Sequence, residues 1–221
     1  MILYGIVGAG GFGREVMPIA QQMLAARHGP HEFEAVFVVE FGATGPVNGH
    51  RVLTAEAFLA AGGERCFNIA IADQRARERI AARFAGAGVR PFEIVASHSV
   101  QLEAVRLGEG AILCPFTMLG SNATIGRFFH ANVHSYVAHD CEIGDFVTFA
   151  PGVMCLGRVR VEDCAYIGAG AVLREGAPGR PVVIGAGALV GMSAVVTKSV
   201  PPGATVVGNP ARLLASNGVP T

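Results

Sequence analysis

A single register runs through the second half of the chain. Leu107, Leu113, Leu119, Ile125, Ala131, Val137, Ile143, Phe149, Cys155, Val161, Ile167 and Leu173 recur at every sixth position without a slip. Neither the 3.6-residue period of a helix nor the alternation of a long strand produces that spacing. It requires short flat strands joined by tight turns, with an aliphatic side chain in each inside corner and Gly or Asp making the turn. Such a chain must coil. The segments LGEGAI, IGAGAV, IGAGAL and VGMSAV repeat small residues one or four places after the corner. Between Leu173 and Ile184 the spacing becomes eleven. Residues 174–183, containing REGAPGRP, are therefore expected to loop out from the coil beside a ligand groove.

The first half has a different pattern. Strands predicted at 2–7, 33–39, 66–71 and 92–95 alternate with helices at 14–26, 55–61 and 74–84. That alternation implies an α/β, Rossmann-like domain with a small parallel sheet over residues 1–96, followed by the repeat domain over 97–221. Gly8, Gly10, Gly11 and Gly13, with Phe12 among them, form G-x-G-x-x-G between the first strand and the first helix. In that setting the glycines let a pyrophosphate approach the helix N-terminus. Glu40, at the end of the second strand, suits a ribose hydroxyl. A tight structural turn uses the same residues, and both readings stay open.

Charge narrows the partners. Seventeen basic and seventeen acidic residues balance, so no general field draws the chain to nucleic acid or an anionic membrane. Five cysteines without a C-x-x-C pair read as buried thiols in a reducing compartment. The N-terminus lacks a signal-peptide pattern and no apolar run reaches the ~18 residues of a membrane span. A soluble, cytoplasmic protein is expected.

The unbroken register over roughly residues 95–200 resembles the hexapeptide-repeat acyltransferases, whose left-handed parallel β-helix takes three hexads, eighteen residues, per triangular coil. GAGGFGR followed by HDC-x-IG is similar to one branch, the bacterial sugar-nucleotide acetyltransferases. That branch includes N-acetyltransferases of nucleotide-linked 4-amino sugars and the sialic acid O-acetyltransferase type. The resemblance implies a first domain that binds the nucleotide sugar, a β-helix that binds acetyl-CoA, and a homotrimer with each active site between two subunits. It further implies a role in lipopolysaccharide or other surface-glycan synthesis. Asp73, in IAIADQ, and Asn132 fall at family substrate positions. Phe12 stands where relatives often have His.

Acetyl transfer from a thioester needs a base for the nucleophile's proton and a donor for the oxyanion. His139, in VAHDCEIGDF, lies two places after the corner residue Val137 and so outside the packed interior. Asp140 or another nearby acid can fix its tautomer, and the resemblance assigns that role to Asp140. Gly157 lies one coil later on the same side, where strands are about 4.8 Å apart. Its amide is the oxyanion candidate. Thr148 stands where some relatives carry a second histidine, and is grouped with the acetyl-CoA residues. Ala169, Met192 and Pro210 occupy family groove positions, and Lys198 and Arg212 are either phosphate partners of CoA or solvated charges. No metal or covalent Cys intermediate is required.

Three other functions compete: sugar O-acetylation, a non-catalytic trimeric nucleotide-sugar-binding protein, and a zinc carbonic anhydrase. The last follows from His134-x4-His139 with His98 two coils before His134.

Overall fold

The computed structural model describes residues 1–29, 31–42 and 45–214. The tail after residue 214, expected as part of the second domain, lies outside the described residues.

A five-stranded parallel sheet opens the chain. It contains β1 (Ile2–Val7), β2 (Phe33–Val39), β3 (Val52–Thr54), β4 (Arg65–Ile69) and β5 (Arg90–Pro91), in the order β3-β2-β1-β4-β5. Three helices connect them: α1 (Gly11–His28), α2 (Ala55–Ala60) and α3 (Gln74–Gly86). Alternation along β1 sends Tyr4 and Ile6 toward α1 and Leu3 and Val7 toward α2 and α3. The order reverses between β1 and β4, so the crevice at their carboxyl ends is the natural ligand position of such a sheet.

Two expectations need correction. Helix α1 begins at Gly11, three residues before the helix expected at 14–26, and Gly10 is its N-cap. Glycine's poor helix propensity conceals that start. A Cβ on Gly13 would lie 1.9 Å from the Gly8 carbonyl oxygen, so the close approach of helix to strand requires glycine. The strand expected over 92–95 is divided. Arg90–Pro91 completes the first sheet, whereas Ile94–Val95 pairs with Ile112–Leu113 in the next domain. Phe92, Ile94 and Ala96 are all buried with less buried residues between them, so one alternating pattern crosses the junction.

The remainder is a left-handed parallel β-helix. Each short strand pairs with the one eighteen residues later, as Met118 with Tyr136 and Tyr136 with Met154. From Leu113 to Leu173 the six-spaced residues are all buried and share one core. Burying each Val, Leu, Ile or Phe among them stabilises the coil by about 1.5–3 kcal/mol. At the insertion the loop is shorter than the expected 174–183: Gly176 N–H still donates to the Gly157 carbonyl at 2.9 Å and the coil resumes where Val182 pairs with Val159, so only residues 177–181 leave it, with an Ala177–Arg180 bridge at the loop.

The three faces differ. The docked face, with Ile94–Val95, Ile112–Leu113, His130–Ala131 and Thr148–Phe149, carries the first domain. The apolar face presents Val100, Met118, Tyr136, Met154, Val172 and Val195 outward in one ladder. The charged face presents Arg106, Thr124, Glu142 and Arg160. Its Glu142–Arg160 pair closes at 2.7 Å.

A candidate active site on one corner of the coil

The corner between the apolar and charged faces carries His139. Val137 is buried in the interior, Asp140 turns the chain with a φ of 57°, and the imidazole projects outward, about half exposed. Its Nδ1 lies 2.9 Å from Asp140 Oδ2. Asn122 Nδ2 donates to the other oxygen at 3.1 Å. The hydrogen bond from His139, and then that from Asn122, hold the Asp140 carboxyl below the usual carboxylate range. An ionised carboxylate only accepts, so Nδ1 bears a proton, and in the neutral imidazole the lone pair falls on Nε2. Nε2 is thus able to act as a base.

Gly157 lies directly beneath the imidazole. A Cβ built on it would sit 2.6 Å from His139 Cε1 and 2.7 Å from Nε2. Its N–H donates no hydrogen bond among the described residues. One coil further along the same column stands Glu175, whose Oε1 is 3.8 Å from His139 Nε2. Arg158 joins both acids, with Nη1 2.8 Å from Glu175 and Nη2 3.6 Å from Asp140. Sequence reasoning missed Glu175, although adding eighteen to Gly157 reaches it.

The glycine turn occupies the opposite side of the coil. Gly8 has φ of 110°, and a Cβ on it would meet the Ala70 carbonyl oxygen at 2.8 Å. Gly10 and Gly11 face open space, and the first turn of α1 holds no acidic residue. Next to them, Phe12, Glu15, Ala72, His130, Asn132, Thr148 and Tyr166 line a cavity of about 150 Å³ between the first domain and the docked face. Thr148 therefore stands with Phe12 and Asn132, away from the His139 corner of its own chain. Its Oγ1 is buried without a hydrogen-bond partner among the described residues.

A buried polar clamp supports that cavity. Arg77 donates from Nη1 to the carbonyls of Ile71 and Ala72, at 3.0 and 3.2 Å, and from Nη2 to that of Phe146. Burial pulls its pKa down to about 10, leaving it charged at neutral pH. His130 Nε2 donates to the Ile69 carbonyl at 2.8 Å, so its Nδ1 accepts from Arg77 Nη1 at 3.3 Å.

The other expected residues divide. Lys198 and Arg212 line one cleft of about 620 Å³, and Lys198 continues the His139 column. Ala169 and Met192 share the corner between the docked and apolar faces, where Ser193 N–H donates to Ala169 O at 2.8 Å. Pro210 follows a cis peptide in the exposed closing turn. Glu40 pairs with Arg83 at 3.8 Å, and Asp73 caps α3 by accepting from Ala76 N–H at 2.7 Å.

No group of three His, Cys, Asp or Glu side chains among the described residues is placed to hold a metal ion. The Phe116 ring lies between His98 and His134, with centroids 5.6 and 5.0 Å away, which opposes their sharing an ion within one chain. Also among the described residues, no helix is long and apolar enough to cross a membrane.

No protein-family model matches the chain. It is 52% identical over 213 residues to GDP-perosamine N-acetyltransferase of Escherichia coli O157:H7, covering 96% of each chain. The structure of WeeI from Acinetobacter baumannii AYE matches with a TM-score of 0.92 and 47% identity, covering 97% of this chain and 100% of that one. The acetyltransferase domain of PglB from Neisseria gonorrhoeae FA1090, in complex with acetyl coenzyme A, matches with a TM-score of 0.84 and 26% identity over 96% of this chain and 98% of that one.

Proposed function

The chain belongs to the hexapeptide-repeat sugar N-acetyltransferases, and from that premise we propose that its acceptor is a GDP-linked 4-amino-4,6-dideoxy sugar. It is an acetyl-CoA-dependent enzyme that acetylates the amine of a nucleotide-linked amino sugar. The name of the 52%-identical relative supports GDP and a 4-amine in particular.

In this reading the acceptor amine attacks the thioester carbonyl of acetyl-CoA directly. His139 Nε2 takes the amine proton, Asp140 steadies the imidazolium, and the Gly157 N–H donates to the oxyanion. The same imidazolium then protonates the departing thiolate of CoA. Lys198 and Arg212 hold CoA phosphates, while Pro210, Ala169 and Met192 border the cofactor. The glycine turn, with Phe12, Asn132 and Thr148, receives the nucleotide sugar. Glu40 and Asp73 are weaker members of that group, since each already has an intramolecular partner.

The observation that carries the reading is the 2.9 Å His139–Asp140 contact, which engages Nδ1 and turns Nε2 outward above Gly157. A second observation supports a homotrimer. The docked face lies opposite the His139 corner of the triangular coil, so a sugar held at the glycine turn reaches the base of another subunit. The apolar ladder supplies a face for that subunit. The setting is the cytoplasm and the product a precursor of lipopolysaccharide or a related surface glycan.

Thiol release from acetyl-CoA across GDP-, UDP- and dTDP-linked 4-amino sugars and sialic acid tests the proposal. It predicts turnover with the GDP-linked amine.

A further inference from the structure

Resting on the reading just given, we infer that Glu175, which stands one regular coil after Gly157 and just before the insertion, is the carboxylate that recognises the acceptor as an ammonium ion and sets its preference for an amine over a hydroxyl. Two acceptors converge at this corner. With Nδ1–H committed to Asp140, the neutral His139 ring presents its lone pair at Nε2, and Glu175 Oε1 faces it from 3.8 Å. That separation is too long for a direct hydrogen bond. Both are within reach of one nitrogen seated outside the gap at about 2.9 Å from each.

An ammonium carries enough N–H groups to satisfy both acceptors, whereas a hydroxyl carries one hydrogen and leaves one acceptor unmet. Charge agrees with this count. With His139 neutral, Asp140 and Glu175 carry two negative charges against the one positive charge of Arg158. The corner therefore lacks a single positive charge. Lys198, next in the column, makes no ion pair with Glu175 among the described residues. Arg158, held to Glu175 at 2.8 Å, fixes the carboxylate, and Gly157 keeps the space between base and acid free of a side chain.

The proton balance is complete. The bound ammonium gives its first proton through the half-exposed Glu175 to solvent. The free amine forms the C–N bond to the acetyl carbon and passes a second proton to His139 Nε2. The C–S bond then breaks and the thiolate takes that proton. An ammonium and acetyl-CoA become an amide, free CoA thiol and one released proton.

The test compares full-length wild type with Glu175→Gln and Glu175→Asp, using GDP-perosamine as substrate and its 4-hydroxyl analogue as competitive inhibitor. Glu175→Gln should raise KM for the amine about 10-fold or more. KM for acetyl-CoA and the inhibition constant of the hydroxyl analogue should stay unchanged, the former also reporting an intact fold. Glu175→Asp should recover most of the loss. An unchanged KM for the amine, or an equal weakening of amine and hydroxyl ligands, overturns the role of Glu175 alone. Failure of wild type to release thiol with any nucleotide-linked amine overturns the underlying reading, and this inference with it.

Discussion

A methyl group added to Gly157 would lie 2.6 Å from the Cε1 atom of His139. Glycine at this position therefore sets where the imidazole rests. Gly157→Ala should push the ring off its line with Asp140 and lower kcat about 100-fold, with little change in stability. Steady-state kinetics beside a thermal melt checks this; retained kcat would detach Gly157 from the site.

Arg77 is fully buried and spans the first domain and the coil. Arg77→Met should destabilise the protein by about 3–5 kcal/mol, because the carbonyls it serves lose their donors. Arg77→Lys should rescue little, since an ammonium does not reproduce the guanidinium fork. Urea unfolding measures both, and a loss under about 1 kcal/mol for Arg77→Met would contradict the clamp.

Burial, and secondly Arg77, hold the His130 pKa well below its ordinary value of 6.5, against the opposing bond to Ile69. Above pH 6.5 the imidazole is neutral in both states and adds no pH dependence. Below it the unfolded chain takes a proton that the folded chain refuses, so stability falls with pH by up to about 1.4 kcal/mol per unit. His130→Asn should remove that part of the slope in urea unfolding between pH 7.5 and 5.5. An identical slope in the variant would show that His130 is protonated in the fold.

Met154 stands in the middle of the apolar ladder, 39% exposed in the single chain. If the proposed trimer packs through this face, Met154→Lys should yield monomer in sedimentation and reduce turnover accordingly, because an interface core disfavours an unpaired charge. A trimer that survives this change does not use the apolar face.

The coil is legible in the sequence because each hexad's inward residue leaves no choice of register: Val137, Cys155 and Leu173 occupy one interior column. The left-handed turn residues are harder to read. Gly or Asp is expected there, yet Phe128 and Phe146 take φ of 51° and 57° and stack at 5.4 Å with nearly parallel rings. Coil-to-coil stacking offsets a local cost that a single turn's sequence suggests is prohibitive. Strand β3 is similarly obscure, since its three residues owe their conformation to pairing with Phe37, Val38 and Val39. His139 and Asp140 are legible as neighbours. The third member of their corner is not, because Glu175 is an exposed residue just before the five extra ones, and the inward register that reveals the coil does not mark it.

The central claim is that His139 is the base for acetylation of a GDP-linked amine. Thiol release from acetyl-CoA with GDP-perosamine, by wild type and His139→Ala side by side, tests it most directly. Wild type should turn over, and the variant should keep its fold and acetyl-CoA affinity while losing about 100-fold or more in kcat. Undiminished turnover by His139→Ala would contradict the account.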